Sequence, residues 1–183
     1  IYHRMPEAES EVLEINPEVV SIARRFFQVP ASDQRFTIRV CDGAEFVARE
    51  GPGYDAILVD GYDGNCLVEA LSSRAFFEAC LRRLNFRGVL VMNLWGSDRK
   101  FNDYVQRIEA AFPAGTLCLP AEKPGNIATF AFRDPPGNPH WDELEARALE
   151  LEARYGLEFS KFAKGLRKMN RCDDERLYVS GEA

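Results

Sequence analysis

Four carboxylates stand where short apolar runs end. "EVLEI" carries Glu14 near its end, "FTIRV" is followed two residues on by Asp42 and then Gly43, and "DAILV" is followed by Asp60 and, three positions later, by Asp63. A carboxylate at a strand end can accept hydrogen bonds from both hydroxyls of a ribose. One beside a glycine can take the amino group of an adenine, because the missing side chain lets the ring come close. Two acids three positions apart can hold something positively charged. Each residue also has a plainer reading. Glu14 can be an ordinary strand-end acid, Asp42 the cap of a following helix, and Asp63-Gly64 a turn signal. Asp60 resists the plain reading, since an acid directly after a buried strand carries a desolvation cost unless it meets a partner.

The elements that would position these acids alternate. Residues 11–15 read as a strand. Asn16 then serves as an N-cap and Pro17 as the first helical residue. Val19, Val20, Ile22, Ala23, Phe26 and Phe27 recur at helical spacing. Phe36–Val40 alternates as a strand, and "DGAEFVARE" follows as a helix whose Asp42 and Glu45 have capping-box spacing. Residues 55–59 form a short apolar strand of the kind covered on both faces of a parallel sheet. Residues 72–84 predict a helix, 88–95 a buried strand and 98–112 a helix. "GTLCLP" and "NIATFAF" predict two strands joined across "AEKPG" as an antiparallel pair, and residues 142–154 a charged helix. Strand–helix alternation implies a doubly wound, mostly parallel α/β sheet. Its crossovers are right-handed, and the four acids then line the edge at the strands' C-terminal ends, where such sheets bind ligands.

Composition narrows the function. The net charge of −6 disfavours a nucleic-acid partner, which needs phosphate-neutralising cations, and favours attraction of cations. No apolar run reaches the roughly 20 residues of a membrane span, and the start has no signal-peptide pattern. Five cysteines without a CxxC pair argue against a zinc site or disulfide framework and for a reducing cytoplasm. His3 and His140 are far apart, which gives no support to a histidine triad or metal cluster. Lys161, Lys164, Arg167, Lys168 and Arg171 read as a solvated helix face, and Trp95 and Trp141 as packing residues.

"VLEINPEVVSIARRFF", "VCDGAEFV", "YDAILVDGYDG" and "FRGVLVMNL", in this order and spacing, resemble the polyamine aminopropyltransferases, the spermidine and spermine synthases, over roughly residues 11–136. The resemblance implies a Rossmann domain of the S-adenosylmethionine-dependent methyltransferase type at residues 1–136, with a charged helical extension at 137–183 packed on or near it. It implies that Glu14 holds the ribose of decarboxylated S-adenosylmethionine or of methylthioadenosine, that Ile15 packs on the adenine, and that Asp42 and Gly43 meet its polar edge. Asp60 matches the first acid of the family's D-x-x-D motif, the catalytic base. Asp63 matches the second, which holds the diamine, and Tyr62 is placed with it in the amine pocket. No metal and no resident cofactor is implied. The sulfonium donor and a polyamine such as putrescine are the expected partners, and a homodimer the expected assembly.

The sequence departs from the family at two places. The glycine-rich nucleotide loop belongs about 20 residues before the ribose acid, and counting back from Glu14 runs off the front of the chain. The expectation is therefore a sheet without its first, central strand and without the family's small N-terminal β domain. The acids also sit in Asp60-Gly61-Tyr62-Asp63-Gly64, where family members carry small hydroxyl residues and a proline, and the next strand reads "VMNLWGS" instead of ending near a glutamine. Two other functions stay open beside aminopropyl transfer: an S-adenosylmethionine-dependent methyltransferase, and a non-catalytic relative that binds a nucleoside or polyamine.

Overall fold

The computed structural model describes residues 1–63, 66–122 and 125–179. Gly64, Lys123 and Pro124 of the two predicted turns, and residues 180–183 of the predicted extension, lie outside the described residues. The chain divides into two compact units, Ile1–Arg49 and Glu50–Ala183. Residues on both sides of position 136 belong to the second.

The first unit is a strand–helix–strand–helix run. Strand β1 (Ser10–Glu14) pairs in parallel with β2 (Phe36–Val40), Ser10 opposite Phe36 and Glu14 opposite Val40. Helix α1 (Pro17–Phe26) makes the crossover that a parallel pair requires. It starts at Asn16, whose side chain accepts the Glu18 N–H at 2.9 Å, with Pro17 in the first turn. Helix α2 (Gly43–Ala48) starts at Asp42. Glu45 pairs with Arg49 at 3.2 Å. On α1 only Val20 is buried; Val19, Ile22, Phe26 and Phe27 are exposed despite their helical spacing. Asp33 closes the approach to β2, accepting the Arg35 and Phe36 N–H groups at 2.8 Å each.

The second unit is built on a four-stranded sheet. Its strands are β3 (Tyr54–Val59), β6 (Leu84–Trp95), β7 (Thr116–Pro120) and β8 (Asn126–Phe132), in the order β3-β6-β8-β7. β3 runs parallel to β6, but β8 is antiparallel to both β6 and β7. The sheet is therefore mixed, which corrects the expectation of a mostly parallel one. The reason is that β8 returns from β7 through a short connection and inserts beside β6, and a connection that short permits only an antiparallel neighbour. A two-stranded hairpin, β4 (Tyr62–Asp63) with β5 (Cys66–Leu67), follows β3.

Between this hairpin and β6, a 3-10 turn at Glu69–Ser72 leads into α3 (Arg74–Arg83), capped by the Ser73 hydroxyl on the Phe76 N–H at 3.2 Å. Helix α4 (Phe101–Ala111) joins β6 to β7. Leu90, Met92 and Leu94 alternate along β6 as fully buried residues, and Phe77 and Cys80 of α3, Ile108 of α4 and the following Phe112 are equally closed off from water. β3 is less covered than its apolar sequence predicts: Leu58 is 62% exposed and Ala56 is also exposed. β6 carries extra residues against β3. Tyr54 lies opposite Leu84 but Ala56 opposite Val89. Arg87, in the looped-out segment, has φ of 61° and donates its N–H to Asp134 at 2.8 Å.

The C-terminal segment adds α5 (Trp141–Tyr155) and α6 (Phe159–Leu166). Trp141, Leu177 and Val179 form a core with Leu117, to which Phe130, Phe132, Leu144 and Leu166 contribute. The Trp141 indole donates to the Asp173 carbonyl at 3.0 Å. The basic run does not form one open stripe: Lys161 meets Glu158 and Glu122, Arg167 lies over the Trp141 ring and Arg171 over the Tyr178 ring. No helix among the described residues is long and apolar enough to cross a membrane.

Candidate active site

In the first unit, Glu14 and Asp42 sit at the same end of a parallel strand pair. Glu14 ends β1, its backbone carbonyl accepts the Cys41 N–H at 3.1 Å, and Asp42 comes one residue after Cys41. The Glu14 carboxylate accepts the Asn16 N–H at 2.8 Å through Oε1. The Asp42 carboxylate accepts the Ala44 N–H at 2.7 Å and the Glu45 N–H at 3.1 Å, both through Oδ1. Asp42 is thus a helix cap, as its plain reading held. Capping uses one oxygen, and Oδ2 makes no hydrogen bond among the described residues. Ile15 is 66% exposed. A Cβ built on Gly43 would meet nothing within 4 Å, so the space over Gly43 is open.

In the second unit, Asp60 directly follows β3, and Tyr62 and Asp63 form β4. Asp60 is exposed, which corrects the sequence argument that it stands at the mouth of a buried strand. Its partner is Asn93 on β6, whose side-chain amide donates to Asp60 Oδ1 at 3.0 Å. Oδ2 of Asp60 makes no hydrogen bond among the described residues. Two residues along each strand, the Trp95 N–H donates to the Tyr62 hydroxyl at 2.6 Å. Burial pushes the Tyr62 phenol above its ordinary value of 10.0; the Asp98 and Asp60 carboxylates add to this and the Trp95 N–H opposes it. Asp63 is exposed and lies opposite Cys66 in the hairpin. Between Asp60 and Tyr62 only a glycine fits without movement, because a Cβ on Gly61 would come within 2.2 Å of the Leu71 side chain.

Asp60 and Asn93 rim a depression of about 190 Å³ whose remaining lining is Leu58, Val59, Val91 and Ala128. Apolar walls with one carboxylate at the edge suit an alkyl chain that carries an amine. A larger depression, about 390 Å³, lies between α4, β7 and the C-terminal segment and includes none of the four acids. The smaller one is the depression that holds one of these four acids, Asp60, beside apolar side chains. Among the described residues, no group of three or more His, Cys, Asp or Glu side chains is placed to hold a metal.

Asn93 was not singled out from the sequence, yet its signal is there. β6 alternates fully buried Leu90, Met92 and Leu94 with half-buried Val91 and Asn93, and Asn93 is the lone amide in that apolar run. An amide on the same side as two apolar neighbours needs a partner, and Asp60 supplies it.

Residues 3–120 match the spermine/spermidine synthase domain model. A polyamine aminopropyltransferase of Chromobacterium violaceum is 42% identical over 167 residues, covering 91% of this chain and 64% of that protein. The chain thus spans less than two thirds of that relative's length. Putrescine N-methyltransferase 3 of Nicotiana tabacum is 40% identical over 92 residues, 48% of this chain and 24% of its own length. Among solved structures, human methyltransferase-like protein 13 in complex with SAH superposes with a TM-score of 0.70 at 24% identity, covering 94% of this chain and 78% of that one. That last likeness concerns the fold.

Proposed function

The chain belongs to the spermine/spermidine synthase family, and on that premise we propose that it carries the site for aminopropyl transfer from decarboxylated S-adenosylmethionine to a polyamine such as putrescine. The observation that carries the reading is the Asp60 carboxylate, held through one oxygen by Asn93 at the rim of an apolar depression, with its other oxygen uncommitted.

In this reaction the amine nitrogen bonds to the methylene carbon beside the sulfonium, the carbon–sulfur bond breaks, and its electron pair leaves on a neutral thioether, methylthioadenosine. The nucleophile must be the free amine, yet a primary alkyl amine in water has a pKa of about 10 and is mostly protonated. Asp60 accepts a hydrogen bond from it and takes the proton as the new bond forms. Because a carboxylate is a weak base, alignment and exclusion of water supply much of the rate. Asp63 takes the distant ammonium of the dication, and the Tyr62 ring borders the amine pocket. Glu14 accepts from the ribose hydroxyls, Ile15 lies on the adenine, and Asp42 with Gly43 meets the adenine's amino edge. The open space over Gly43 and the spare oxygens of Glu14 and Asp42 support these roles.

Asp60→Asn tests the assignment. Its expected effect on kcat is a loss of about 10²- to 10⁴-fold, the usual worth of a general base, with methylthioadenosine binding by calorimetry retained. Full activity in this variant removes Asp60 from the mechanism. The similarity to a putrescine N-methyltransferase favours a second reading, methyl transfer to the same kind of amine from S-adenosylmethionine. The mass of the product separates the two.

A further inference from the structure

We infer that Asn93 is a positioning residue for the transfer: its amide fixes the Asp60 carboxylate and, with the Trp95–Tyr62 bond, continues the β3–β6 ladder into the acid-bearing turn. This rests on the reading of Asp60 as the base.

The backbone pairing of β3 with β6 ends at Val59 opposite Met92. The next positions are Asp60 and Asn93, then Tyr62 and Trp95 two residues further. The chain leaves the sheet here, and side-chain bonds take over: Asn93 Nδ2 to Asp60 Oδ1 at 3.0 Å, and Trp95 N–H to Tyr62 Oη at 2.6 Å. The two rungs hold the turn at alternate residues, as a strand pair would.

An exposed carboxylate at a strand end otherwise turns freely about its side-chain bonds, and restricting such rotation costs free energy each time a productive pose is needed. A single donor on Oδ1 removes that freedom before substrate arrives and leaves Oδ2 to meet the amine. The kind of donor matters as well. An arginine or lysine at position 93 would cancel the carboxylate's charge, whereas an amide orients it and leaves the charge for the cationic substrate. Glycine at position 61 lets the turn pass against Leu71 without displacing either rung.

The test compares steady-state and single-turnover transfer in the wild type, Asn93→Leu, Asn93→Ala, Asp60→Asn and the Asn93→Ala/Asp60→Asn double variant. Asn93→Leu keeps the side chain's size without its donor. Should it disturb the strand, Asn93→Ala removes the same bond without added bulk. The expected result is a fall in kcat of up to about a hundredfold, the scale of a small misplacement of a reacting group, with KM for the sulfonium donor and methylthioadenosine affinity unchanged. In the Asp60→Asn background the Asn93→Ala effect should vanish, because residues that act through one another are non-additive. Wild-type kcat in Asn93→Ala overturns the inference and leaves the role of Asp60 standing. So does an undiminished Asn93 effect in the Asp60→Asn background. No transfer by the wild-type protein to any amine overturns the functional reading and the inference together.

Discussion

Asn170 fastens the C-terminal segment to the outer strand of the second unit's sheet, and removing it gives a stability change that can be worked out in advance. Its side chain does what a neighbouring strand would do. Oδ1 accepts the Cys118 N–H at 2.7 Å, and Nδ2 donates to the Cys118 carbonyl at 2.7 Å and to the Leu166 carbonyl at 2.7 Å. Asn170→Leu conserves size and deletes all three bonds. Each is worth about 1 kcal/mol net, so the expected loss is about 3 kcal/mol, rising toward about 5 if the Cys118 groups stay dry. For a chain of this size that corresponds to a fall of roughly 6–12 °C in melting temperature. Urea unfolding followed by tryptophan fluorescence suits the measurement, because both tryptophans lie in the second unit and Trp141 sits in the core shared by Leu117 and Leu177. The midpoint should fall with an unchanged slope. A loss of under about 0.5 kcal/mol, the size of an ordinary surface substitution, would refute the view that this side chain stands in for a strand.

Two further outcomes follow from single residues. Burial pushes the Cys80 thiol from 9.0 up to about 12. The thiol form is the one the fold stabilises, so its contribution is complete below pH 9.0 and is lost as the pH rises toward about 12. A thiol reagent at pH 8 should modify the half-buried Cys41 and Cys172 in the native protein, and Cys80 only as the unit unfolds; equal rates for Cys80 and Cys41 would contradict this. Arg87 holds a left-handed backbone at φ 61°, which costs a side-chain-bearing residue about 1–2 kcal/mol. After glycine's own entropy cost, Arg87→Gly should raise stability by up to about 1 kcal/mol in thermal melts, whereas Arg87→Ala should not; a destabilised Arg87→Gly would show that the Arg87 side chain matters more than its backbone.

Much of the first unit was legible in its sequence. Asn16-Pro17 marks the start of α1 because one residue supplies the cap and the other the fixed φ, and Phe36–Val40 alternates as a strand must. The strand order of the second unit was not legible. "GTLCLP" and "NIATFAF" predict a hairpin from the shortness of their connection, but nothing local states that β8 rather than β7 lies against β6. The exposure of Leu58 and Asp60 was missed for a related reason: an apolar run records hydrophobicity, not which neighbour stands against each face. At the candidate site the acids were visible by type and position. Asn93 was not, because its meaning depends on the pairing of β3 with β6, residues some thirty positions apart.

The placement of β8 also sets the order in which the sheet can assemble. β7 and β8 are close in sequence and pair as a hairpin, from Pro120 opposite Ile127 outward to Thr116 opposite Ala131. β6 must close a longer loop to meet β3, with Val59 opposite Met92, and another to meet β8, with Trp95 opposite Asn126 and Val89 opposite Phe132. Loop closure costs more as separation grows, and chains rich in distant pairings fold more slowly. The hairpin is therefore the natural nucleus, and β6 then meets a neighbour on each side across similar lengths of chain, about thirty positions both at Val59–Met92 and at Trp95–Asn126. Substitutions in the hairpin should slow refolding, while those that loosen the Asn170 fastening should mainly speed unfolding. The strand that leads to the candidate base thus depends on β6 alone for its place in this sheet.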